Sequence, residues 1–253
     1  MNQAVIVTGM VLLSAAIGEY DKRVVILTKE RGKISVFARG ARRPNNHLMG
    51  LVNPFSFGRF ELYEGRDSYT LKQGEIANYF TEIRTDMEAS CYGMYFMEFA
   101  SYYTREANDE TQALKLLYQT IRTLCTYKIP LPLIRCIYEL KLICINGEGP
   151  QVKTCMKCKK EAQNVYFNTR MGGVICAVCE VGKTEGIIKL HTSTLYALQY
   201  IVGSTVEKLY SFTVSEEVLA QLQIIMKQYI AEYVDKKFKT LEILEQITTT
   251  STS

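Results

Sequence analysis

The sequence predicts an α+β multidomain protein, with an amino-terminal OB-type β-barrel followed by an α-helical domain that carries a four-cysteine zinc ribbon. Three observations predict it. Over the first 80 residues the apolar positions fall in short runs broken by turn signals, and from Thr81 onward their period becomes helical. Two CxxC pairs, Cys155 to Cys158 and Cys176 to Cys179, then stand seventeen residues apart.

The barrel strands read off in order. Val5 to Leu13 is rich in β-branched and aliphatic residues, and Val24 to Thr28 follows a polar turn holding Gly18, Glu19 and Asp21. Glu30-Arg31-Gly32-Lys33 turns into Ile34 to Arg39. A basic loop, Gly40 to Gly50, leads to Leu51 to Tyr63, and Gly65-Arg66-Asp67 turns into Ser68 to Gln73. Five short strands at this spacing suit a small barrel, and an OB barrel has that strand count.

The helices follow. Thr85 with Glu88 reads as a capping box for a helix to about Glu106, and Asp109 with Gln112 as a second. The second helix repeats Ala113, Leu116, Leu117, Thr120, Ile121, Leu124 and Cys125, a continuous apolar stripe. Pro132 occupies a first turn, where its missing N–H costs nothing, and that third helix stops at Asn146-Gly147. After the zinc segment come a helix from Ser193 to Val202 and a long one from Glu216 to about Ile247, carrying Leu219, Leu222, Met226, Tyr229, Ile230 and Tyr233. The expected division is 1–80 as an OB domain and 81–253 as a helical domain with the ribbon inserted at 149–186.

Four thiolates at this spacing can close a tetrahedral site on one Zn2+. An all-sulfur set points to a structural metal, since catalytic zinc keeps an open position and uses His or carboxylate ligands. A thioredoxin-like redox pair would need a βαβ setting, which the surrounding sequence lacks. The other cysteines, Cys91, Cys125, Cys136 and Cys144, lie in helical patterns as small hydrophobes, in keeping with a reducing, cytoplasmic compartment.

Charge is concentrated at one end. Residues 1–80 hold 11 Lys/Arg against 7 Asp/Glu, whereas residues 81–253 hold 19 of each, so the net +4 sits in the barrel. Arg39-Gly40-Ala41-Arg42-Arg43 places three guanidiniums within five residues, a phosphate grip in composition, which Lys22, Arg23, Arg31, Lys33, Arg59, Arg66 and Lys72 could extend. Phe37, Phe55, Phe57, Phe60 and Tyr63 supply aromatic rings of the kind single strands stack on. Catalysis has little to stand on. His47 and His191 belong to no nucleophile or metal pattern, Gly182-Lys183-Thr184 lacks the upstream glycine of a P-loop, and no apolar run is long enough to span a membrane.

Several blocks together resemble the RecO family of bacterial DNA repair proteins. They are Gly18-Glu19-Tyr20-Asp21, Leu27 to Lys33, Ala38 to Arg43, Gly149-Pro150 with the first CxxC, Gly172 to Cys179, and Phe238-Lys239-Thr240-Leu241. The chain departs from the family's pattern at Lys159, where glycine often follows the second ribbon cysteine. The resemblance implies a recombination mediator without enzymatic turnover. Such a protein binds single- and double-stranded DNA and anneals complementary strands. With RecR it helps a RecA-type recombinase displace single-strand binding protein, whose acidic tail the helical domain receives. By position it implies DNA contacts at Lys33, Arg39, Arg42 and Arg43, with Arg23, Arg31 and Arg66, and one structural Zn2+ on Cys155, Cys158, Cys176 and Cys179. Two rival readings stay open: a zinc-ribbon factor of transcription or translation binding RNA or protein, and a metal-dependent nucleic-acid hydrolase.

Overall fold

The computed structural model describes residues 4–66, 68–180 and 187–250, with side chains to 247. Asp67 of the expected turn, the ribbon's end at 181–186 with Gly182-Lys183-Thr184, and residues 251–253 lie outside the described residues. Two compact units emerge. The first joins residues 1–125 to 239–253, and the second is 126–238. They cut the chain differently from the change of period at residue 81, because the helices nearest the barrel pack with it.

In the first unit five strands close a barrel in the order β1-β2-β3-β5-β4: β1 (Ala4–Ile17), β2 (Asp21–Thr28), β3 (Gly32–Ala38), β4 (Phe57–Glu64) and β5 (Tyr69–Asn78). All pairings are antiparallel except β3 with β5, and β4 returns to β1, so no edge is left open. Alternation fills the interior with Val7, Val11, Val24, Ile26, Ile34, Val36, Phe60, Leu62 and Leu71. Gly32 holds the left-handed conformation of the β2–β3 turn, φ 66°, and Thr28 Oγ1 donates to its carbonyl at 2.8 Å.

The expected strand Leu51 to Tyr63 is only half a strand. Residues 51–56 are irregular and serve as a plug, with Leu51 and Val52 in the barrel core and Phe55 buried in the left-handed region. Apolar content suggests extension, but a buried loop has the same composition.

Three helices complete this unit: α1 (Met87–Tyr103), α2 (Thr111–Leu124) and, from the far end of the chain, α6 (Lys239–Thr250). Asp86, not Thr85, caps α1, accepting from the Ala89 amide at 2.9 Å. On α2 the expected stripe is buried from Ala113 to Leu124. The start of α6 is tied to α1 through Thr240, whose Oγ1 donates to Glu98 at 2.6 Å.

In the second unit α3 (Leu131–Ile145), α4 (Thr192–Gly203) and α5 (Glu216–Tyr233) pack on one another, and the ribbon is inserted between α3 and α4 as expected. His191 is the N-cap residue of α4 and His47 is exposed. The long terminal helix does not form. Its backbone turns extended at Val234, φ −111° and ψ 106°, and α5 and α6 fall in separate units. No proline or glycine marks that break.

One side chain braces the helices strongly. Lys141 of α3 sends its ammonium to the carbonyls of Ile201, Val202 and Ser204, at 3.3, 3.0 and 2.6 Å, at the C-terminal end of α4. A cation suits carbonyls that have no helical donor. Lys141→Met keeps most of the stem and removes the charge, so the second unit loses about 2 kcal/mol, read as a lower denaturant midpoint.

Candidate nucleic-acid interface and metal cluster

Residues 39–56, which include the expected basic loop Gly40 to Gly50, are anchored at several points. Ala41, Leu48, Leu51 and Val52 insert into the barrel core. Gly40 donates its amide to Asp21 Oδ1 at 2.7 Å, and the Arg42 amide donates to the Tyr20 carbonyl at 2.9 Å. The loop therefore lies against the β1–β2 turn. Arg42 reaches back to the Gly18 carbonyl at 3.1 Å, and the Arg43 guanidinium lies 4.8 Å from the centre of the Tyr20 ring. Arg39, Arg42 and Arg43 remain exposed, and no partner for the Arg39 guanidinium is found among the described residues.

Beside this loop runs the outer face of β1, β2 and β3. Register places Arg23 opposite Phe37 and Val25 opposite Ser35, and alternation puts Arg39 on the same side as Phe37. Arg23 Nε donates to Ser35 Oγ at 2.9 Å. Ala15 faces Arg23 from β1, next to Leu13, which is 52% exposed. Phe37 is half-buried on this face, paired in register with the exposed Arg23.

The other candidates are placed differently. Lys33 donates its ammonium to the Ser101 carbonyl near the end of α1, and its amide to the Arg105 carbonyl at 2.9 Å. Arg31 pairs with Glu64 at 3.6 Å. Arg66 is exposed at the β4–β5 turn, and no ion pair for it is found among the described residues. Lys72 holds Glu61 at 2.6 Å, and hydrogen bonds from Lys72 and Gln73 keep the Glu61 carboxyl below its usual range. Of the aromatic rings, Phe55 and Phe60 are buried and Phe57 packs on Tyr118, with centroids 4.6 Å apart. Sequence reasoning passed over Tyr20, 40% exposed, although its place in a turn next to a basic loop was the available signal.

The ribbon is built from β6 (Val165–Asn168), β7 (Gly173–Cys176) and β8 (Ile187–Lys189), in the order β7-β6-β8. Phe167 packs on Tyr229 of α5, and Tyr229 donates its hydroxyl to the Glu148 carbonyl at 2.7 Å. The four sulfurs of Cys155, Cys158, Cys176 and Cys179 lie within 4.8 Å of one another, the one such cluster among the described residues. Cys158 and Cys176 are 3.8 Å apart, sulfur to sulfur. A tetrahedron with bonds of about 2.3 Å has an edge of about 3.8 Å, so the cluster fits a zinc-sized ion.

Amides help prepare it. Burial pushes the Cys155 thiol up, yet backbone donors of residues 158, 176 and 157 outweigh burial and bring it down to about 6. Hydrogen bonds with Cys176 and Cys158 hold the Cys179 thiol up at about 12. Outside the cluster, burial raises Cys125 and Cys144 to about 11, as suits inert core thiols.

No helix among the described residues is long and apolar enough to cross a membrane. The family model for the recombination protein O N-terminal region matches residues 1–80, and that for its C-terminal region matches 84–242. The DNA repair protein RecO of Acetivibrio thermocellus is 31% identical over 242 residues, covering 95% of this chain and 96% of that one. The RecO protein of Alkaliphilus metalliredigens is 32% identical over 241 residues, covering 94% and 98%. A closed five-stranded barrel, a helical segment, a cysteine cluster and two family models spanning nearly the whole length lead to one assignment: the chain belongs to the RecO family of DNA repair proteins.

Proposed function

We propose that the chain is a cytoplasmic, nucleoid-associated recombination mediator, acting without catalytic turnover. It binds single- and double-stranded DNA and anneals complementary strands. With RecR it helps load a RecA-type recombinase onto DNA coated by single-strand binding protein, whose acidic tail docks on the helical segment. Residues 1–80 serve as the DNA-binding domain and residues 81–253 as the helical domain, with one structural Zn2+ on the four cysteines.

The observation that carries this reading is the continuity of Arg39, Arg42 and Arg43 with the Arg23–Phe37 face. Guanidiniums hold phosphates bidentately, and a partly exposed ring on the same face gives a base a stacking surface without reading its identity. A mediator needs that combination, because it must hold any sequence and then let it go. Tyr20 adds a ring at the edge of the same surface. Lys33 and Arg31, engaged within the fold, are secondary to this grip.

With about five phosphates neutralised, log affinity for single strands falls with log salt at a slope of about −3.5. Fluorescence anisotropy across a salt series measures it, and a flat response contradicts the reading. Competition with matched RNA separates it from an RNA-binding role, because an interface that selects the 2′-hydroxyl would prefer the RNA strand.

A further inference from the structure

We propose that the first zinc knuckle is a second nucleic-acid contact, one that grips the phosphate backbone of duplex DNA through Lys153, Lys159 and Lys160. It goes beyond the barrel site and rests on the reading that the chain binds DNA.

Residues 153–162 form one hairpin, closed by the Ala162 amide on the Lys153 carbonyl at 3.0 Å and the Cys155 amide on the Lys160 carbonyl at 2.8 Å. Four lysines, at 153, 157, 159 and 160, are confined to it and all are exposed. Lys157 is engaged, since it reaches across to the Cys179 carbonyl at 3.0 Å and ties the two knuckles together. For the other three ammonium groups no hydrogen bond or ion pair is found among the described residues. Between 149 and 189 the described residues hold six Lys/Arg against two Glu. A zinc tetrathiolate carries two negative charges and so leaves the ribbon positive.

Lys159 bears most directly on a binding role. Its φ of 62° is left-handed, and its amide donates to the Cys155 carbonyl at 3.0 Å to complete the knuckle turn. Glycine adopts that conformation without strain and an L side chain does not. A cation held there against its backbone preference is explained by a use for the charge.

The nature of the ligand follows from what the knuckles lack. In the ribbon Phe167 is buried and Tyr166 half-buried within the sheet, so the knuckle tips offer no aromatic platform for unstacked bases. They offer cations and a small aliphatic tip, Ala177 with Val178, the latter 89% exposed on the second knuckle. Cations without stacking surfaces suit the closely spaced phosphates of a duplex.

The test uses the whole, zinc-loaded chain with Lys159→Gly and Lys160→Gln combined. Duplex binding is expected to lose about 1.8 of its log–log salt slope and to weaken about 20-fold at 0.2 M salt. Single-strand affinity, zinc content and melting temperature are expected to hold, since glycine relieves the turn. Lys160→Gln alone, which leaves both the turn and the backbone bond to Cys155 in place, should give half the change in slope. An unchanged duplex slope in both variants overturns the proposal while leaving the barrel reading intact. If wild-type protein binds neither single nor double strands, both readings fall.

Discussion

Replacing Cys155 with Ser abolishes metal uptake and unfolds the ribbon. Cys155 is fully buried, and the segment around it joins the knuckle to the sheet: the Met156 amide donates to the Val174 carbonyl at 2.8 Å and the Cys176 amide points at the Cys155 sulfur at 3.3 Å. Apart from these, the ribbon has few buried side chains, chiefly Val152, Ala162, Val165, Phe167, Val174 and Ile175. So small a core cannot offset the entropy of ordering the segment. A structural zinc supplies on the order of 10 kcal/mol, so an ion bound by the four cysteines would hold the ribbon's shape more than its core does. The expected result is loss of one zinc per chain, new protease cleavage between residues 150 and 180, and a lower melting temperature. A chelator acting on wild type should reproduce all three. Acid should release the metal as well, because protons compete for the thiolates. Cys136→Ala, which alters a buried helix thiol, should keep its zinc. If the variant at 155 stayed protease-resistant but lost a chemical activity, the metal would be catalytic rather than structural.

That site was legible because metal ligation imposes spacing on sequence: two turns must each aim two sulfurs at one point, and only a narrow range of intervals allows it. The barrel was legible for a similar reason, as period-two alternation in Ile34, Val36 and Ala38 has to survive wherever one strand face is buried. What sequence did not reveal depends on partners distant in the chain. Lys33 reads as one more cation in a basic segment until Ser101, sixty-eight residues away, takes its ammonium. Arg43 becomes part of a surface only through Tyr20, on a different turn. At Val234 no proline or glycine forbids the helix, and the break coincides with the passage from one compact unit to the other. The lysines of the first knuckle were visible in the sequence, but their exposure and the backbone of Lys159 were not.

The distinction between Lys33 and the loop arginines sets up the other large effect. Replacing Arg39, Arg42 and Arg43 together with Ala should remove three phosphate contacts, worth about 2.1 in the single-strand salt slope. Taking 1 M salt as the point where counter-ion release no longer contributes, affinity should fall ~500-fold at 50 mM but only ~30-fold at 200 mM. That change of ratio with salt distinguishes a lost charge from a damaged fold, which would weaken binding by one factor throughout. The fold should tolerate the change, because Ala41 and Leu48 anchor the loop through the core and the Arg42 link to Tyr20 runs through its amide. Lys33→Met should behave oppositely, lowering stability by about 2 kcal/mol through the lost bond to the Ser101 carbonyl while leaving the salt slope unchanged. If instead Lys33→Met flattened the slope by about 0.7 and the triple variant did not, the grip would lie at the α1 end of β3 rather than at the loop. Lys33 lies at the start of β3 and Arg39 just past its end, so the pair of measurements locates the bound DNA along β3.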